Sequence, residues 1–153
     1  MLIGELMQKN PKTCRPDDSI RHASQVMWDG GFGSLPIVDG DGEILAIVTD
    51  RDLCMACCRE GLSPDSTPVG TVASYGVLTV RDDDPVERAE ALMRKHHIRR
   101  LPVVDGKGRP VGIVSIYDLA RHARWAGQRG DELTPESVVT TEIAIGRRPS
   151  PSH

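Results

Sequence analysis

Apolar positions along the chain fall into two alternating periods. Val86, Ala89 and Met93, with Leu92 beside them, recur at helical spacing, and Glu87, Arg88, Arg94 and Lys95 fill the positions between. That predicts an amphipathic helix. Ile20, Ala23 and Met27 set out the same face earlier in the chain. Each predicted helix is followed by two strand-like runs, LPIVD with EILAIVT and LPVVD with PVGIVS, joined by Gly40-Asp41-Gly42 and Gly106-Lys107-Gly108. Glycine accepts positive backbone angles, so both junctions are predicted to be tight hairpins. A second helix follows each hairpin, from Thr49 to about Arg59 and from Ser115 to about Ala126, and a brief strand around Thr13-Cys14 or Thr79-Val80 precedes each first helix. Asp17-Asp18 and Asp83-Asp84 are placed to cap those first helices, Pro85 suits a first helical turn, and Gly30-Gly31 ends the earlier one. The unit is β-α-β-β-α.

The unit occurs twice. Sliding the chain on itself pairs residue 3 with 69, 35 with 101 and 53 with 119 without a gap, which is the signature of a tandem repeat. Residues 1–60 form the first repeat, 61–68 a linker of turn-forming residues (GLSPDSTP), 69–126 the second repeat and 127–153 a tail. A three-stranded sheet with two helices on one face leaves its other face apolar and uncovered. Two copies in one chain can cover each other about a pseudo-two-fold axis, with a cleft on each side. In the tail, Thr134-Pro135 suits a short helix start, VVTTEIAI reads equally as a strand, and RRPSPSH reads as disordered.

Composition narrows the partners. The 153 residues are 39% hydrophobic and 27% charged, with a formal net charge of -3. This gives no long-range attraction to DNA or to an anionic membrane. The opening MLIGELMQKNPKTC has neither a basic start with an apolar core nor a run of membrane length, so a cytoplasmic protein is expected. The four cysteines, Cys14 and the group Cys54, Cys57 and Cys58, fit reduced thiols better than a disulfide framework. On a helix the last three share one face, where packing is the simplest role. They lack the further ligands of a zinc set, and no metal site is read from the sequence. His22 and His122 read as surface residues, and His96-His97 as a solvent-facing helix end.

Chemistry concentrates where each hairpin ends. Thr49-Asp50-Arg51-Asp52 and Ser115-Ile116-Tyr117-Asp118 both place a hydroxyl three residues ahead of an aspartate. One reading is a helix capping box. The other is a nucleotide site, in which the junction offers free amides and the positive end of a helix dipole to phosphate. There the hydroxyl donates to phosphate and the aspartate accepts from both hydroxyls of a ribose. Asp50 adds negative charge to the first junction, partly offset by Arg51, whereas Ile116 and Tyr117 leave the second neutral. Arg99 and Arg100 stand just before LPVV and read either as phosphate ligands or as exposed charges at a strand start. No nucleophilic triad, Walker loop or other catalytic constellation emerges, so an enzyme is not expected.

The doubled LPVVD, glycine and G-I-V-S-x-x-D pattern, behind a Pro- or Asp-opened amphipathic helix, resembles the CBS domain (named for cystathionine β-synthase) in the tandem pair called a Bateman module, of the stand-alone bacterial type. The resemblance covers about residues 1–126. It implies an α/β fold of two β-α-β-β-α repeats with adenosyl ligands such as AMP, ADP, ATP, NAD or S-adenosylmethionine in the clefts between them, and no required cofactor. It implies that Thr49 and Asp52, and Ser115 and Asp118, hold ribose and phosphate. A base pocket is implied at Thr13-Cys14 with Leu35-Pro36-Ile37, and at Thr79-Val80 with Leu101-Pro102-Val103. Ala46 stands where the second repeat has Gly112, and its methyl is expected to narrow the first pocket. A homodimer of pairs and a protein target are the implied partners, with Leu53, Met55, Leu119 and Trp125 on or beside the second helices as the expected dimer surface. The alternative function is an interaction scaffold independent of ligand, or redox-responsive through its cysteines.

Overall fold

Ser19, Thr49 and Thr134 each cap the start of a helix with a side-chain hydroxyl, and Gly31 closes one in the left-handed region. The computed structural model describes residues 1–126 and 133–146, the side chains of 124–126 excepted; the segment 127–132 and the RRPSPSH end, expected to be disordered, lie outside the described residues. The elements are α1 (Ile3–Leu6), β1 (Gln8–Lys9), α2 (Ile20–Gly30), β2 (Ser34–Val38), β3 (Ile44–Thr49), α3 (Asp50–Cys58), β4 (Ser74–Tyr75), β5 (Val80–Arg81), α4 (Val86–His96), β6 (Arg100–Val104), β7 (Pro110–Ser115), α5 (Ile116–Ala126) and α6 (Pro135–Gly146). Ser19 Oγ caps α2 by accepting from the His22 amide, and Gly31, at φ 66°, closes it. Gly42 and Gly108 take φ values of 83° and 76° in the two hairpins, as expected. Among the described residues, no helix is long and apolar enough to cross a membrane.

The aspartates expected to cap α2 and α4 do something else. Asp18 Oδ2 accepts from the Arg15 amide and Asp84 Oδ2 from the Arg81 amide, each at 2.8 Å, so both brace the turn ahead of the helix. Pro85 is the extended residue before α4, not part of its first turn. The reason is that main-chain carbonyls already occupy the first amides. Ile20 and Arg21 donate to Thr67 and Pro64 of the linker, and Val86 donates to Met1.

The chain forms two compact units whose membership cuts across the repeats: Met1–Lys9, Leu78–Gly106 and Val111–His153 make one, and Asn10–Val77 with Lys107–Pro110 make the other. In the second of these units β2 pairs with β3 antiparallel, with Ser34 opposite Thr49 and Pro36 opposite Ile47, and β4 pairs with β3 through Ala46–Tyr75 and Ile47–Ser74. Cys14 adds a single parallel bridge to Ile37. In the other unit the order is β1-β7-β6-β5, with Lys9 opposite Gly112 and Val80 parallel to Val103. The strands expected at Cys14 and Val80 therefore stay with their own hairpins, while β1 and β4, which lie ahead of them, pair with the hairpin of the other repeat. At Gly112 a Cβ would lie 3.1 Å from the Gln8 carbonyl oxygen of β1 and would displace the Met7 side chain. The Ala46 methyl, expected to narrow a ligand pocket, is instead fully buried in the core with Ile37, Val48 and Leu53.

The described part of the tail, 133–146, contains the helix α6. Thr134 and Ser137 cap α6 reciprocally, the Ser137 amide donating to Thr134 Oγ1 at 3.1 Å and the Thr134 amide to Ser137 Oγ at 3.2 Å. α6 packs on α4 and α5, and Leu133, Val138 and Ile145 join the core that holds Met93 and Leu119. Thr141 Oγ1 donates to the buried Glu90 carboxylate at 2.8 Å. His97, expected to face solvent, is half-buried and its Nδ1 donates to the Ala144 carbonyl at 2.8 Å. Leu53 and Leu119 are core residues, not interface residues; Met55 is exposed, and the Trp125 side chain lies outside the described residues.

Candidate functional site

Each hairpin delivers its last strand residue straight into a helix, and the hydroxyl and carboxylate three residues apart fold onto each other. Asp52 Oδ2 accepts from the Thr49 amide at 2.9 Å and from the Thr49 hydroxyl at 2.8 Å, while the Asp52 amide donates back to Thr49 Oγ1. Ser115 and Asp118 repeat this with distances of 2.9 Å and 2.6 Å to Oδ2. The capping box is real in both repeats, and it employs only one oxygen of each carboxylate. In the second repeat the other oxygen is left in an unusual state. Asp118 is 1% exposed, and its Oδ1 is buried without a hydrogen-bond partner among the described residues. The Arg121 guanidinium forms an ion pair with it at 3.5 Å, too long for a good hydrogen bond. A buried carboxylate oxygen left bare costs folding free energy, and it is well matched to a donor from outside the chain.

The free amides expected at these junctions are largely occupied. Asp50 and Ile116 donate to the carbonyls of Gly33 and Arg99, and the Arg51 amide donates to Asp50 Oδ1 at 2.8 Å. The site is therefore centred on a carboxylate and not on a nest of amides.

The remaining expected residues divide. Cys14 lies beside Pro36 and Ile37, its amide donating to the Pro36 carbonyl and its carbonyl accepting from Val38; all four residues are buried, whereas Thr13 is exposed. The register of β2 on β3 puts Pro36 two residues along from the Ser34–Thr49 pair, so strand and motif share one end of the sheet. Val80 lies beside Val103, with Pro102 buried and Thr79 half-buried. Arg51 and Arg100 are exposed. Arg99 does not point a free guanidinium at a phosphate: it pairs with Glu142 of α6 at 2.8 Å. That partner belongs to the tail, outside the repeat, and nothing in the repeated pattern signals it.

Two features were missed in the sequence. Arg121 stands three residues after Asp118 on α5, a spacing that brings side chains together on one helix face. Asp18 and His22 stand beside Cys14, with Sγ, carboxylate oxygen and imidazole nitrogen all within 4.8 Å of one another. Burial, with Asp18 adding to it, pushes the Cys14 thiol up to about 12. The packing role expected for the helical cysteines holds for Cys57 alone; Cys54 and Cys58 are exposed, with sulfurs 4.0 Å apart. A separate cavity of about 660 Å³ opens between α2 and α3, lined by Met27, Trp28, Phe32, Leu53 and Cys54 among others.

The family model described as "CBS domain" matches residues 3–58 and again 69–124. The CBS domain-containing protein YhcV of Bacillus subtilis is 32% identical over 132 residues, which cover 86% of this chain and 92% of that one. Other curated relatives are longer, and the chain spans between 21% and 60% of their length. Among solved structures, the CBS domain pair of protein MJ0100 in complex with 5′-methylthioadenosine and S-adenosyl-L-methionine superposes with a TM-score of 0.73 at 29% identity, covering 84% of this chain and 98% of that one. CBSX2 in complex with AMP gives 0.69 at 25% identity, covering 82% and 98%.

Proposed function

Because the chain belongs to the CBS domain family and carries two copies in tandem, we propose that it is a regulatory module that binds an adenosine-containing ligand and reports its presence to a protein target. The observation that carries this reading is the bare, buried Asp118 Oδ1 beside Arg121. A ribose diol supplies the missing donors to Oδ1, and the Arg121 guanidinium balances charge on the carboxylate or on an attached phosphate. The exposed Arg100 at the start of β6 is a second cation for phosphate. Asp52 has the same capping geometry with greater exposure, and Asp50 adds a negative charge beside it, so the two repeats bind with unequal affinity. The solved relatives holding S-adenosylmethionine, methylthioadenosine and AMP support the adenosyl class. A thermal-shift screen with AMP, ADP, ATP, NAD and S-adenosylmethionine tests the proposal. A ligand at a hundredfold its dissociation constant adds about 2.7 kcal/mol. No shift with any of the five at millimolar concentration favours the ligand-independent scaffold.

The module is also proposed to be a homodimer, through the face of α2 and α3. Trp28, 83% exposed, lines the 660 Å³ cavity between these helices, and Met55 is 43% exposed elsewhere on α3. In the second repeat the equivalent face is covered by α6. Glu90, His97 and Arg99, which hold α6, align with Ser24, Gly31 and Gly33, which line the cavity. The sequence suggested two open helical faces, but the tail closes one. Light scattering at micromolar concentration is expected to give the dimer mass for the native chain and the monomer mass for Trp28→Glu. A native monomer rules the dimer out.

A further inference from the structure

We propose that Cys14, Asp18 and His22 form a binding site for a zinc-type divalent cation in the first repeat. Their ligating atoms, one sulfur, one oxygen and one nitrogen, lie within 4.8 Å of one another. A tetrahedral zinc ion, with bonds of about 2.0–2.3 Å, holds neighbouring ligand atoms about 3.5 Å apart. The three therefore close on an ion by moving about an ångström.

The chain is built to allow that closure. Cys14 is the fixed member, 2% exposed and held on both sides by main-chain hydrogen bonds to β2. Asp18 is held from below by the Arg15 amide, and His22 lies in the first turn of α2, its own amide bonded to Ser19 Oγ. Their side chains keep freedom at the tip, being 32% and 56% exposed. His22 Nε2 stands 4.0 Å from Asp18 Oδ2, a gap too wide for a hydrogen bond.

The second repeat provides a comparison within the same molecule. The aligned residues are Val80, Asp84 and Arg88, and there Arg88 pairs directly with Asp84 at 3.2 Å while Val80 is buried. The carboxylate is common to both repeats. Where the second repeat has a permanent cation and an apolar side chain, the first has an imidazole and a thiol, two of the strongest ligands for borderline metals. A sulfur, nitrogen and oxygen set selects zinc or cobalt over magnesium or calcium. Binding deprotonates the Cys14 thiol, the proton going to solvent, and three protein ligands leave a fourth position for water or a small ligand. The site does not rest on the nucleotide reading: of its three residues only Cys14 was assigned to a base pocket, Asp18 and His22 take no part in it, and the test contains no nucleotide.

The full-length, reduced, chelator-stripped protein is titrated with Co²⁺ and then Zn²⁺. One equivalent of Co²⁺ is expected to give a near-ultraviolet sulfur-to-cobalt charge-transfer band that Zn²⁺ abolishes. Cys14→Ser removes the band, and the Cys54→Ser/Cys57→Ser/Cys58→Ser variant keeps it. His22→Ala, at an exposed position that leaves the circular dichroism unchanged, weakens Co²⁺ binding by about tenfold or more, and it decides the matter should Cys14→Ser fail to fold. No band in the native protein, a band lost in the triple variant, or undiminished affinity in His22→Ala overturns the site.

Discussion

Asp118→Ala is expected to weaken binding of an adenine nucleotide by about ten- to a hundredfold, the equivalent of losing charge-assisted hydrogen bonds of ~1.5–3 kcal/mol. The carboxylate has two separable jobs. Oδ2 closes the capping box with Ser115, and its loss costs on the order of 1 kcal/mol of stability whether or not a ligand is present. Oδ1, buried and without a hydrogen bond among the described residues, has only the Arg121 ion pair at 3.5 Å in the empty fold. Asp118→Asn separates the two, because its carbonyl oxygen can still accept from Ser115 while an amide nitrogen replaces Oδ1. It is expected to fold as the native chain does and to bind as poorly as the alanine variant. Titration calorimetry and denaturant unfolding on both variants, with a 2′-deoxynucleotide on the native chain, make the comparison. Native affinity in both variants, with deoxy- and ribonucleotides bound alike, would reduce Asp118 to a helix cap.

Deleting residues 133–153 is expected to destabilise the unit containing α4 and α5 by roughly 3–6 kcal/mol. The deletion removes Leu133, Val138 and Ile145, each at most 5% exposed, and burial of such side chains contributes about 1.5–3 kcal/mol apiece. The chain entropy regained by the freed helix offsets part of that sum. Thr141→Val isolates one polar contribution. It keeps α6 in place but leaves the Glu90 carboxylate buried without the Thr141 hydroxyl, at a cost of about 1–3 kcal/mol. Hydrogen exchange should lose protection in α4 and α5 and keep it in α2 and α3. An unchanged unfolding midpoint for the truncated chain would mean that α6 is an ornament on a unit already complete.

The local rules carried far. The helical period of Val86, Ala89 and Met93, the glycine hairpins, the Gly31 helix end and the two hydroxyl-x-x-Asp boxes all follow from groups within about four residues of one another, where backbone geometry leaves few options. The gapless doubling was equally legible, because a repeat is a property of the sequence itself. Even the local rules failed where a distant segment competed: the carbonyls of Met1, Pro64 and Thr67 took the amides that Asp18 and Asp84 were expected to cap. The β-branched run VVTTEIAI is ambiguous by propensity, and it is helical because Thr134 and Ser137 cap it and because α4 and α5 offer a bed, a tertiary override of a weak preference.

What the sequence by itself determined is the repeat, its β-α-β-β-α order and the pairing of each hydroxyl with its aspartate, all of them short-range and encoded by type and spacing. Only the tertiary structure decided which carboxylate oxygen stays bare, that Arg99 turns to Glu142, that β1 and β4 pair with the other repeat's hairpin, and that Cys14, Asp18 and His22 converge. Each of these depends on groups meeting from different elements, and which groups meet is settled by the packing of whole helices and strands, not by any window of residues.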